Sequence, residues 1–254
     1  MIAIDLIGIG TGNPDHLTAA AIRAMNDADL ILLPRKGDAK SDLIDLRRDI
    51  CAAVLDGTHH VAEFDLPVRD GREDYLGAVN DWHDAIAATW RNAIMAHLPE
   101  GGRLALLVWG DPSLYDSSLR IADRLRADGM ALTLRVIPGI TSIQALTAAH
   151  AIPLNALADP VLITTGRQLR ARGWPDGVGT LVVMLDSGCA FDAIDPAGVH
   201  IWWGAYLGMA HEALIDGPLA ETAARIAARR ADLRARHGWI MDIYLMRKEA
   251  TDGR

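Results

Sequence analysis

The sequence predicts an α/β protein of two domains, and three observations carry that expectation. In the first 140 residues, apolar strand-like runs lead through turns into helical patterns, the alternation that builds a parallel sheet. In the second half the strand-like runs come with fewer intervening helices, which predicts a separate, mixed sheet. The chain has 254 residues, 50% of them hydrophobic, enough to bury one large core or two smaller ones. The expected domains are 1–140, an N-terminal α/β domain with a parallel sheet, and 141–254, a C-terminal α/β domain with a mixed sheet. No internal repeat or low-complexity linker separates them.

The first strand is the apolar run Ile2 to Ile9, broken only by Asp5. It enters Gly8-Ile9-Gly10-Thr11-Gly12-Asn13-Pro14-Asp15, where glycines at alternate positions permit a tight turn and leave room for a ligand. Thr18 is placed to cap a helix through about Ala28. This is not the dinucleotide fingerprint, because Asn13 stands where that pattern needs its last glycine. The second strand, Leu30 to Leu33, ends in Pro34-Arg35-Lys36 and so lacks a ribose-binding carboxylate, although Arg35 suits a 2′-phosphate. An NADP-binding Rossmann enzyme is the minor reading.

A basic loop follows, then a helix capped by Ser41 with an apolar stripe beside Arg47 and Arg48. By itself that charge run reads as a solvated face. Next come a loosely alternating strand, His59 to Leu66, and a helix of about Asp74 to His97. Its Trp82, Ile86, Trp90 and Ile94 at helical spacing read as core. The run Leu104 to Trp109 has no polar face and reads as a buried strand. It ends in Gly110-Asp111-Pro112-Ser113-Leu114-Tyr115, which presents Asp111 at the carboxyl end of a strand, where ligands of open α/β sheets bind. The bland reading is a strand-to-helix turn capped by Asp111. After a helix to about Asp128, the strand Leu132 to Ile137 ends in Pro138-Gly139-Ile140-Thr141-Ser142. Three glycine-bearing turns therefore follow three strands.

Strands are then expected at Val161 to Thr165, Thr180 to Leu185, His200 to Ala205, Glu212 to Ile215 and Trp239 to Met246. Arg167, Arg170 and Arg172 cluster after the first of them. The helix of about Leu219 to Arg236 carries Arg225, Arg229, Arg230 and Arg234, read as a solvated face.

A net charge of -8 argues against nucleic acid or an anionic membrane surface as the main partner. Cys51 and Cys189 are far apart, and His59, His60 and His83 show no ligand spacing, so neither a disulfide framework nor a metal site is expected. No signal-like segment and no long apolar run occurs. The expected location is cytoplasmic.

Taken together, Gly8 through Thr18, Gly110 through Tyr115, Pro138 through Ser142 and the following Ile152-Pro153-Leu154 resemble the tetrapyrrole methylases in order and spacing. Met184 and Glu212 also fall at recurrent positions of that family, and the likeness covers essentially the whole chain. It implies the tetrapyrrole methylase fold (class III methyltransferases), two α/β domains with an active-site cleft between them, S-adenosyl-L-methionine as cofactor and S-adenosyl-L-homocysteine as its product. It also implies a homodimer. Within the family, the stretches Pro34 to Gly37, Lys40 to Leu43, Leu46 to Cys51 and Asp81 to His83 look most like the members that methylate C-1 of the corrin precursor precorrin-5 and release acetate.

Carried over residue by residue, the resemblance makes Thr11, Trp109, Gly110, Asp111, Leu114, Thr141, Ser142 and Met184 the candidate cofactor contacts. Asp111 and Tyr115 become the candidate catalytic residues. A tetrapyrrole precursor bears many carboxylates, and Arg35, Lys36, Lys40, Arg47 and Arg48 are the basic surface that would receive them. The chain departs from the family pattern at Thr11, where proline is common, and at Pro34, where related methylases carry an aspartate. Two competing readings are a family relative acting on another ring carbon, diphthamide or RNA, and a nucleotide-binding module without turnover.

Overall fold

The structure is a computed structural model that describes residues 1–35, 41–69 and 75–248. It forms two compact units, Met1–Thr141 and Ser142–Arg254. The first contains β1 (Ile2–Gly8), α1 (Ala19–Asn26), β2 (Leu30–Arg35), α2 (Ser41–Val54), β3 (Val61–Asp65), α3 (Tyr75–His97), β4 (Gly102–Val108), α4 (Ser118–Ala127) and β5 (Leu132–Ile137). Its sheet is parallel in the order β3-β2-β4-β1-β5. β1 and β4 sit at the centre and are apolar on both faces, as expected of strands covered by helices on each side.

Each face carries its own core. Ile4, Leu6, Leu104 and Leu106 pack with Ile86, Trp90 and Ile94 of α3. Ile7, Ile31, Ala105 and Leu107 pack with Ala21 and Met25 of α1 and Ile44 and Ile50 of α2. Thr18 caps α1 as the sequence predicts, its hydroxyl accepting the Ala21 N–H at 3.0 Å. The exception on β1, an interior strand of this sheet, is Asp5, 1% exposed. Arg135 grips its carboxylate through Nε at 2.9 Å and Nη2 at 2.6 Å, and Arg103 donates at 3.1 Å. Both arginines come from the neighbouring strands, so the ion pairs bind β4 and β5 to β1.

The second unit contains α5 (Ser142–Ala149), β6 (Val161–Thr165), α6 (Gly166–Arg172), β7 (Thr180–Met184), β8 (Val199–Ala205), β9 (Ala213–Pro218), α7 (Leu219–His237) and β10 (Asp242–Lys248). Its sheet runs β6-β7-β10-β8-β9, parallel only between β6 and β7, the mixed arrangement anticipated. The last strand begins at Asp242 rather than Trp239, because Tyr206 takes the Trp239 carbonyl through its hydroxyl and the Met241 carbonyl through its N–H.

Arg230 corrects the solvated-face reading of α7. It is 8% exposed, donates to Asp242 at 2.9 Å and to the Asp186 carbonyl at 2.8 Å, and lies in register with buried Ile226 and Leu233. Arg170 is likewise committed, to Asp186 Oδ1 at 2.7 Å. Asp186 is the hub of this unit. It also accepts the N–H groups of Gly188 and Ala190 and the Tyr244 hydroxyl. Burial alone pushes its pKa up, and these donors outweigh that and hold it below 3.8.

Asp186→Asn is therefore expected to cost about 2–4 kcal/mol at pH 7, since an amide cannot accept from all four donors. A carboxyl depressed on folding stabilises above its unfolded pKa and loses that contribution as pH falls through the folded one. The gap between wild type and variant in urea unfolding should hence be full at pH 7 and shrink from about pH 4 downward.

Candidate active site

β1, β4 and β5 end side by side in the glycine turns, and there main chain packs directly on main chain. A Cβ at Gly139 would lie 2.1 Å from the Gly110 carbonyl oxygen and 2.8 Å from Gly8 Cα, and one at Gly8 would lie 2.6 Å from Gly139 N. Only glycine fits either place. Gly10 and Gly110 exchange N–H···O bonds of 3.4 and 2.8 Å, joining the first turn to the second. Both have left-handed backbone, with φ of +69° and +61°. Around Gly110, however, a Cβ would meet only Thr141, at 3.7 Å. Glycine there is required by conformation and leaves an open stretch of backbone.

Asp111 braces this arrangement. Its Oδ1 accepts the Ser113 N–H at 2.8 Å and the Ser113 hydroxyl at 2.5 Å, and its Oδ2 accepts the Gly139 N–H at 3.0 Å. Partial burial pushes its pKa up, but these donors prevail and leave it below 3.8. At pH 7 it is a charged acceptor with both oxygens engaged, a better positioning group than proton acceptor. Asp111 does not cap the following helix, whose N-cap is Ser117; it braces the turn itself.

Thr11 is buried, its hydroxyl 2.7 Å from His16 Nδ1 in a hydrogen bond that folds the first loop back on itself. Leu114 closes the turn after Asp111 by donating to its carbonyl at 3.2 Å. Tyr115 has φ +51° and is 46% exposed, a strained conformation for a non-glycine residue. Burial pushes its phenol pKa up, so it is neutral at pH 7. Thr141 is buried beside Gly110. Ser142 opens α5 and Met184 ends β7, both in the second unit and half-buried.

The basic residues divide. Lys36 and Lys40 lie outside the described residues. Arg35 pairs with Asp65 at 3.0 Å, and Arg48 with Glu63 and Asp45, each at 2.7 Å. A substrate carboxylate would have to compete with these partners. Arg47 is not on the surface at all. It is 7% exposed, donates to the carbonyls of Leu107 at 3.3 Å and Leu43 at 3.1 Å, and lies 4.9 Å from the Trp109 ring centroid. Burial lowers its pKa to about 10 despite the attraction of Asp116. Sequence periodicity contained this signal, since Arg47 falls in step with buried Ile44 and Cys51.

His83 sits in the core. It is 3% exposed, and among the described residues neither ring nitrogen has a partner. Burial and the nearby arginines lower its pKa, so it is held neutral. No cluster of potential metal ligands occurs among the described residues.

Residues 3–223 match the tetrapyrrole (corrin/porphyrin) methylase family model. The chain belongs to this family. It is 49% identical over 253 residues to a deacetylating precorrin-6A synthase from a Sinorhizobium species, covering 98% of this chain and 97% of that one. Among solved structures it resembles a cobalamin synthesis related protein (CobF) from Corynebacterium diphtheriae, with a TM-score of 0.82, 37% identity, and coverage of 98% and 99% of the two chains. A uroporphyrin-III C-methyltransferase from Thermus thermophilus, described in complex with S-adenyl homocysteine, shares the fold at a TM-score of 0.59 and 19% identity, with 96% and 91% of the chains covered.

The glycines of the three turns are enforced by contact at 8 and 139, by contact with His16 and left-handed backbone at 10, and by left-handed backbone alone at 110. Gly110→Ala should fold, at a cost of about 1–2 kcal/mol for the left-handed backbone, and should bind S-adenosylhomocysteine at least tenfold more weakly by calorimetry. Gly139→Ala should lose about 3 kcal/mol or more of stability in urea, because the β4 and β5 turns must separate. Wild-type affinity in folded Gly110→Ala would show that this turn serves structure alone.

Proposed function

We propose that the chain is an S-adenosyl-L-methionine-dependent C-methyltransferase of corrin-ring synthesis, methylating precorrin-5 at C-1 and releasing the C-20 acetyl unit as acetate. The observation that carries this reading is 49% identity to a deacetylating precorrin-6A synthase along almost the full length of both chains. When bound, the cofactor's sulfonium supplies an electrophilic methyl group. Alignment of the acceptor carbon is then the protein's main task.

In this reading Thr11, Trp109, Gly110, Leu114 and Thr141 contact the cofactor, and Ser142 and Met184 are further contacts. Asp111 holds the second and third turns in register and orients whatever lies on them. Tyr115, neutral and partly exposed beside these turns, is the other candidate catalytic residue. Arg35 and Arg48 are the described basic residues proposed to meet substrate carboxylates, in exchange for their present carboxylate partners. The cytoplasmic location rests on the wide separation of the two cysteines in the sequence, which offers no disulfide framework. No helix among the described residues is long and apolar enough to cross a membrane. A homodimer is the assembly implied by the family resemblance.

Incubation with precorrin-5 and methyl-labelled S-adenosylmethionine should yield one labelled methyl and one acetate per turnover, read by mass spectrometry and acetate assay. Methylation without acetate would move the activity to another ring carbon. Binding of NADPH but not of S-adenosylhomocysteine would overturn the methyltransferase reading. Arg48→Ala should raise the KM for precorrin-5 at low salt by a few-fold only, because Arg48 is already neutralised by Glu63 and Asp45.

A further inference from the structure

Among the described residues, left-handed backbone outside glycine occurs at Tyr115, Ala151, Ala158, Leu185, Cys189 and Tyr206. A β-carbon makes that conformation costly, most of all beneath a bulky side chain. The two alanines present only a methyl group. Tyr206 is 1% exposed and its hydroxyl donates to the Trp239 carbonyl, so its ring is anchored in the core. Cys189 is half-buried and packs against the same core. Tyr115 belongs to the second glycine turn. None of these reasons applies to Leu185. It has φ +52° and is 65% exposed, at a place where glycine would meet no steric cost.

The conformation is imposed from both sides. Met184, before it, is held in β7 opposite Thr165 of β6. Asp186, after it, has its carboxylate taken by Arg170, Tyr244 and the N–H groups of Gly188 and Ala190. Its carbonyl accepts from Arg230 at 2.8 Å. The carboxylate also lies so close to Gly166 that a Cβ there would overlap it. Backbone fixed this firmly can hold a strained residue, and strain of that kind gathers at ligand sites.

The position within the sheet agrees. β6 runs parallel to β7, and β7 and β8 both run antiparallel to β10, so β6, β7 and β8 end on one side. Leu185 stands on that rim of carboxyl ends, directly after Met184. A solitary exposed leucine is ordinary on a protein surface, but one held there against its own backbone preference is not. Its side chain has no polar atom, so what it recognises is apolar surface. We propose that Leu185 is a specificity-determining contact, an apolar platform on which a flat ring of a bound ligand rests. The inference rests on the methyltransferase reading, in which Met184 contacts the cofactor. The ring is then either the purine of the cofactor or the tetrapyrrole macrocycle.

Leu185→Gly removes the side chain and the strain together. Leu185→Asn keeps a similar shape, tolerates left-handed backbone and is polar. Both should fold, with urea midpoints at or above wild type. Both should nevertheless handle the ligand about tenfold less well, as expected when a leucine no longer covers apolar surface. Leu185→Met, still apolar, should stay within a few-fold of wild type.

S-adenosylhomocysteine is titrated by calorimetry, and KM for precorrin-5 is measured at saturating S-adenosylmethionine. Weaker S-adenosylhomocysteine binding in the Gly and Asn variants assigns the purine. Unchanged binding with a raised KM and spared kcat assigns the macrocycle. Folded Gly and Asn variants in which neither quantity moves overturn the proposal. So does a Met variant as impaired as the Gly variant, or a changed sedimentation coefficient in Leu185→Gly, which would place the side chain between copies of the chain. A wild-type chain that neither binds S-adenosylhomocysteine nor methylates precorrin-5 fails the functional reading, and this inference with it.

Discussion

The contact on which the first unit depends is main chain against main chain where β1, β4 and β5 end. Gly8, Gly110 and Gly139 come so close that two of them exclude even a methyl group. Asp111 makes that approach possible, because its carboxylate takes the Gly139 N–H that would otherwise face the neighbouring turn without a partner. Backbone so close gives a binding surface that cannot shift by exchanging rotamers. It suits a reaction in which alignment, rather than proton transfer, is the larger part of the work.

The two units handle buried charge in opposite ways. In the second, Asp186 and Asp242 are surrounded by Arg170, Arg230, Tyr244 and backbone N–H groups, so the network is closed and stabilises the fold. The Asp5 pairs of the first unit are of the same kind, with the arginines reaching in from half-exposed positions. Arg47 differs. It is buried as deeply as Arg230 but bonds only carbonyls and faces a cavity. A closed network of this kind rigidifies the unit that holds it.

Electrostatics also separate the surface arginines from the buried one. Arg35 and Arg48 are neutralised by carboxylates of β3 and α2, which fits a chain whose overall charge is negative. Any local positive field toward a polyanionic substrate is weakened by those partners.

The sequence alone determined the strand positions, the parallel first sheet and the mixed second one. Apolar runs without a polar face can only be buried strands or helices, and their length and flanking glycines chose between these. It also marked the three turns and Thr18, because left-handed backbone and capping each demand particular residue types. Charge alone reads Arg47 and Arg230 as solvated, although helical register places each among buried neighbours. Charge spoke louder than period in that reading. What only tertiary structure decided is which donors meet which acceptors: that Asp111 reaches Gly139, that Arg230 meets Asp242 on β10, and that Arg47 meets no carboxylate among the described residues. Those partners are distant in sequence, and no local pattern encodes a distance closed only by folding the sheet.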